Sequence, residues 1–261
     1  MRLAGAAVMA ACLAFSGCAT QPHDDSGLKA ATPTMGDETH ERMRARVHTE
    51  LAANYFGVGN VGVALEEVQE ALRADRNYGP AYNVAGLVYA QLKEDRLAEE
   101  NFQRALSINP SDSDARHNYG MFLCQRKQER EAIQQFMLAV RNPLYATPDR
   151  SYVNAGVCAR RAGDLAGAGE FFALALKVRP DQPQALYQLA DLAYGRGDYG
   201  QARSFLGRLP RVAENAETLW LGVRIERRLG DRNSEASYAQ RLRERFPDSR
   251  EARALIAGQY E

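Results

Sequence analysis

An all-α, right-handed α-solenoid of about six helix-turn-helix repeats, closed by a C-terminal capping helix, is the fold this sequence predicts. Three observations carry the prediction. Small and aromatic residues recur with a period close to 34 residues through most of the chain. A Gly-Asp or Gly-Asn pair returns within most periods, at Gly59-Asn60, Gly163-Asp164, Gly197-Asp198 and Gly230-Asp231. No β-rich segment is left once the periods are placed. A single helical hairpin cannot bury its apolar face alone, so hairpins in series stack into one continuous core.

The first element precedes the repeats. Leu3 to Phe15 is an apolar run of about thirteen residues behind one positive charge, Arg2. That is shorter than the roughly 20 residues a spanning helix needs, and it ends in small residues, as a secretory signal peptide does. Cys18 follows Ser16-Gly17 directly, which resembles a bacterial lipobox, where cleavage precedes a cysteine that is then acylated. Phe15 stands where Leu is usual; a plain signal peptide with an incidental cysteine is the competing reading. The expectation is a lipoprotein signal peptide at 1–17, lipidation at Cys18, and a polar tether over 18–40 carrying Pro22 and Pro33. Two or three acyl chains make a stable anchor without a spanning helix. Ala19 replaces the Asp that often retains lipoproteins at the inner membrane, which in a Gram-negative cell directs the chain to the outer membrane, facing the periplasm.

The repeats follow over 41–261. In 79–110, Tyr82, Ala85-Gly86, Tyr89, Ala98, Phe102, Ala105 and Pro110 fall on the spacing W-x2-L-G-x2-Y…A-x3-F-x2-A…P, which resembles the tetratricopeptide repeat. The frame moved back gives Ala52, Gly59-Asn60, Ala64, Val68 and Ala71; moved forward it gives Tyr119-Gly120, Ala132, Phe136 and Ala139. A 36-residue step then reaches Ala155-Gly156, Ala168, Phe172, Ala175 and Pro180, and a further step reaches Leu189-Ala190, Ala202 and Leu206. A weaker sixth copy holds Trp220, Gly230-Asp231 and Pro247, its register open by one residue. The predicted units are about 45–78, 79–112, 113–148, 149–182, 183–215 and 216–249, with a cap over 250–261. Small residues at positions eight, twenty and twenty-seven let helices approach, and a larger residue at position twenty-four fills the seam.

Chemistry is hard to find. The 33 basic and 33 acidic residues cancel, so no global field directs the chain to nucleic acid. His23, His40, His48 and His117 are scattered without metal-type spacing, and no Cys-x-x-Cys, Gly-x-Ser-x-Gly or P-loop occurs. The arginines between Arg224 and Arg253 alternate with Glu226, Glu235, Glu244 and Glu251, like a mixed-charge surface. We expect no catalytic residue, metal, cofactor or small-molecule substrate.

What a solenoid offers is a groove lined by the first helix of each unit. The register places Phe56, Asn83, Leu87, His117, Met121, Val153, Val157, Arg160, Tyr187, Asp191 and Tyr194 there, as a partner-binding surface with apolar character. Packing between repeats is the alternative role for Leu87, Met121, Val153 and Val157. With Cys12 removed and Cys18 acylated, Cys124 and Cys158 remain. Their helix positions face each other across neighbouring first helices, within the roughly 4.4–6.8 Å Cα separation of a disulfide. A bridge and a pair of buried free thiols both fit.

Lipobox, tether and six repeats together resemble the type IV pilus biogenesis lipoproteins of the PilF/PilW kind, the pilotins. The more specific stretches are "NYGMFLC" at 118–124, "NPLYATPDRSYVNAGVCARRAGD" at 142–164 and "LWLGVRIERRLGDRNSEASYAQRLRERFPDS" at 219–249. The resemblance implies a non-enzymatic protein whose partner is the pilus secretin (PilQ-like), which it helps to reach the outer membrane and to multimerise. A repeat lipoprotein serving another outer-membrane or cell-wall machine would share everything but those stretches.

Overall fold

A computed structural model describes residues 38–260. The predicted signal peptide, Cys18 and nearly all of the tether lie outside the described residues. Among the described residues there are thirteen α-helices, one 3-10 turn at Arg211–Ala213, and no strand. The helices pair in chain order: α1 (His40–Gly57) with α2 (Val61–Ala74), and α3 (Gly79–Gln91) with α4 (Asp95–Ile108). Then come α5 (Ser113–Gln125) with α6 (Glu129–Ala139), and α7 (Pro148–Arg161) with α8 (Leu165–Val178). Last are α9 (Pro183–Gly195) with α10 (Tyr199–Gly207), and α11 (Ala216–Leu229) with α12 (Arg232–Arg245), followed by α13 (Arg250–Ile256). Each first helix packs on its own partner, and most pack also on the first helix of the next unit, as α1 on α3, α3 on α5, α5 on α7 and α9 on α11, while α9 rests mainly on α8 of the unit before it. The protein is an all-α solenoid.

The seam inside each unit explains the period. A methyl group at Gly86 would lie 2.7 Å from the Phe102 ring, one at Gly120 2.8 Å from Phe136, and one at Gly156 2.5 Å from Phe172. Gly222 meets Tyr238 in the same way, at 2.5 Å. The two units without that glycine carry Ala52 with Val68 and Ala190 with Leu206, all buried in their local cores. A small gain at the first position is thus matched by a smaller side chain at the second. Volume across the pair is what the sequence conserves from unit to unit, as close packing requires.

The turns show a second rule that the first three units keep only in part; in the first, Gly59 has positive φ but Asn60 after it makes no side-chain cap. Gly163, Gly197 and Gly230 have positive φ, and the following Asp164, Asp198 and Asp231 each accept a backbone N–H at the start of the second helix. One residue ends the first helix and the next caps the second. In the second and third units the same left-handed place is held by Lys93 (φ 65°) and Lys127 (φ 62°), followed by Glu94 and Gln128 without a side-chain cap. The sixth unit resolves its open register: its seam pair, Gly222 and Tyr238, stands 32 residues beyond Ala190 and Leu206, whereas its turn glycine stands 33 beyond Gly197.

Two stability predictions follow. Gly156→Ala destabilises the protein by about 1–3 kcal/mol through overpacking, less whatever alanine returns in helix propensity. Phe172→Leu in the same chain relieves it, so the double variant is more stable than the sum of the singles by about 1 kcal/mol in urea unfolding. Strict additivity contradicts the volume rule. Lys93→Gly and Lys127→Gly each raise stability by roughly 0.5–1 kcal/mol, since a side chain in the left-handed region costs about 1–2 kcal/mol and glycine's greater unfolded freedom returns part of it; no gain in thermal midpoint counts against the turn assignment.

Candidate partner-binding groove

The residues that sequence assigns to the groove are not equivalent in the structure. Leu87, Val157 and Phe56 are half-buried and pack against the cores of their own units, and Tyr187 and Tyr194 do so near α11. Met121 is 38% exposed. Val153 is 2% exposed and packs with Phe172, Ala185 and Leu189, yet it borders the same concavity as His117 and Met121. Its side chain forms part of the floor of that concavity and supports its wall.

Polar groups join the units along the groove. The Asn118 amide donates to Asn83 Oδ1 at 3.1 Å. His117 Nδ1 lies 2.7 Å from Ser151 Oγ, whose hydroxyl reaches Tyr145 Oη at 3.2 Å, and His117 Nε2 lies 3.4 Å from the Asn154 amide. A neutral ring that donates from Nδ1 and accepts at Nε2 satisfies the whole chain. Tyr145 reaches this position because the two extra residues between α6 and α7 fold the loop back, leaving Leu144 89% exposed and Tyr145 buried. Burial, reinforced by the positive charge of Arg150, holds the His117 pKa down at about 4. Further along, Arg160 donates to Gln188 Oε1 at 2.6 Å and to Asp191 Oδ2 at 2.5 Å.

Three concavities gather these side chains. His117, Met121 and Asn154 border one of about 550 Å³ with Tyr145 and Arg150. Met121 and Val157 border a smaller one beside Cys124 and Cys158. Arg160, Asp191 and Tyr194 border a third of about 470 Å³. Cys124 and Cys158 are joined as a disulfide with a Cα separation of 5.9 Å, linking α5 to α7 across the junction that carries the insertion. Ser151 is fully buried, so its contact with His117 is structural and not a nucleophile poised for substrate. Among the described residues no cluster of three or more metal-ligating side chains occurs, and no helix is long and apolar enough to cross a membrane.

Two surface features escaped the sequence reading. Along α1, Met43, Val47, Leu51 and Tyr55 stand at intervals of four residues and are each 37–43% exposed, forming an apolar stripe. At the other end, Arg224, Arg227, Arg228 and Tyr260 surround a concavity of about 780 Å³ with Tyr194. The alternation of Arg and Glu in the sequence hid the second feature. Buried Glu226 pairs with Arg203 of α10, and Glu235 with Arg227, so neither neutralises Arg224.

Known proteins can be set beside this geometry. Tetratricopeptide repeat profiles match residues 79–112, 101–134 and 159–223. The type IV pilus assembly protein PilF of Pseudomonas aeruginosa is 29% identical over 252 residues, covering 96% of this chain and 97% of that protein. An uncharacterized protein of Haemophilus influenzae is 30% identical over 135 residues, 52% of this chain and 75% of the relative. The solved structure of P. aeruginosa PilF superposes with a TM-score of 0.75 at 27% identity, covering 84% of this chain and all of that one. The crystal structure of PilW, described as a widely conserved type IV pilus biogenesis factor, gives 0.70 at 29% identity over 81% of this chain and 98% of that one.

The His117 network makes a pH-dependent prediction. The folded protein disfavours the imidazolium, so the unfolded chain binds the extra proton more readily between pH 6.5 and about 4. Stability is full above that window and falls as pH drops through it. Between pH 7 and pH 4 the protein loses on the order of 2–3 kcal/mol that His117→Gln does not lose. Parallel stability–pH curves for the two proteins contradict the burial of a neutral ring.

Proposed function

The chain belongs to the tetratricopeptide-repeat proteins and is a PilF/PilW-like protein of type IV pilus biogenesis; from that premise we propose that it is an outer-membrane lipoprotein acting as a pilotin. In this reading it is a non-enzymatic scaffold that binds the pilus secretin, brings it to the outer membrane and promotes its multimer. The observation that carries the reading is similarity to PilF over 96% of this chain and 97% of that protein, together with the superposition on its solved structure.

The physical logic is effective concentration. Acyl chains on Cys18 hold the solenoid at the periplasmic face of the bilayer, and the polar tether lets its groove reach a client nearby. Binding then becomes an intramolecular event at the membrane, which raises occupancy without new contacts. Groove side chains such as Leu87 and Met121 supply apolar contact, while the amides of Asn83, Asn118 and Asn154 suit a peptide backbone.

Deleting the gene should reduce secretin multimers in separated membranes and abolish twitching; normal multimers and motility in the deletion strain would overturn the pilotin role. Leu87→Glu with Met121→Glu should weaken secretin binding by at least about tenfold, the cost of placing charge at an apolar contact. Full binding by that folded variant moves the docking surface to the apolar stripe of α1.

A further inference from the structure

We propose that the C-terminal end of the groove is a carboxylate-recognition site, built on Arg224, for an Asp or Glu side chain in an extended acidic segment of a partner protein. The assignment goes beyond the pilus reading and does not require the partner to be a secretin.

Arg224 is unusual among the arginines of this region. Its Nε is buried and has no hydrogen-bond partner, as is also true of Arg241, but unlike Arg241 its guanidinium makes no hydrogen bond or ion pair to any described residue. Neighbouring arginines differ: Arg160 holds Asp191, Arg203 holds Glu226 and Asp231, and Arg241 and Arg245 share Glu214. A buried donor without an acceptor is costly, and native proteins keep few of them without a reason. The side chain is nevertheless held in place, its Cζ 4.4 Å from the centroid of the Tyr194 ring. A guanidinium fixed by stacking, with its two Nη groups unpaired and not buried as Nε is, is preorganised for a carboxylate that accepts two parallel N–H bonds from them.

The surroundings point the same way. Arg224 borders three adjoining concavities of about 470, 780 and 550 Å³. Arg227, Arg228, Arg250 and Arg253 also border the last two, against the single acidic side chain of Glu251. Arg227 lies 3.8 Å over the Tyr260 ring, which stacks on Trp220, so the wall between the two larger spaces is aromatic and ordered by cation–π contact. A positive, aromatic-walled recess favours an anion attached to a chain with apolar neighbours. Its continuity with the concavity of Arg160, Asp191 and Tyr194 makes that chain a peptide running along the groove, in preference to a lipid headgroup or free phosphate.

The test uses the full-length mature protein and a fluorescent hexaglutamate peptide, with hexaglutamine as the neutral control. Hexaglutamate should bind and shift the Arg224 Nε–Hε resonance, and hexaglutamine should bind at least about tenfold more weakly. Arg224→Gln should weaken hexaglutamate binding about tenfold or more, and Arg224→Lys, which keeps the charge but loses the fork, should fall between. Arg96→Gln, on the exposed face of α4, should bind within twofold of the parent protein. The proposal is overturned by absence of binding, by equal binding of the Arg224→Gln protein, or by an unmoved Arg224 resonance, which is read in the unsubstituted protein and is independent of variant folding. It is also overturned if inorganic phosphate or anionic phosphatidylglycerol vesicles engage Arg224 where hexaglutamate does not.

Discussion

Everything in this molecule depends on how closely two helices of one unit can approach. Where Gly86, Gly120, Gly156 and Gly222 face an aromatic ring, there is no room for even a methyl group. Where alanine replaces the glycine, valine or leucine replaces the ring. The seam volume sets the interhelical distance, and a repeated distance sets a repeated rotation from one unit to the next. The stacked first helices then form a continuous surface whose chemistry can vary freely, because the seam and not the surface carries the fold.

That freedom is used differently along the chain. The first helix exposes an apolar stripe, the middle units join their polar groove residues through His117, Ser151 and Asn154, and the last units collect arginines around Tyr194 and Tyr260. At the middle junction the two-residue insertion would loosen the stack. It is compensated by Tyr145 folding back on Ser151 and by the disulfide between α5 and α7. Surfaces of different character on one frame suit the proposed role of a scaffold that holds a large client at several points.

The seam was legible in the sequence because it repeats small and large residues at fixed spacing, and so were the Gly-Asp turns, where each residue has one physical task. Lys93 and Lys127 were not legible as left-handed residues: nothing local asks for that conformation, and the packing of flanking helices imposes it. Counting positions puts Val153 on the groove side, where it borders a concavity, but its near-complete burial depends on packing against the next unit, which position alone does not give. Arg224 was hidden for a third reason. Charges that alternate along a helix need not pair, and Glu226 faces Arg203 across the unit, leaving its neighbour in sequence without an acceptor.

The central proposal is that surface and anchor act together: the groove would bind the client, and a lipid expected on Cys18 would place it. Fractionating membranes from a strain carrying Cys18→Ser separates the two roles. The account predicts that the variant still co-purifies with the secretin while secretin multimers are lost from the outer-membrane fraction. Wild-type amounts of multimer in the outer membrane, with the unanchored protein in the soluble fraction, would contradict it.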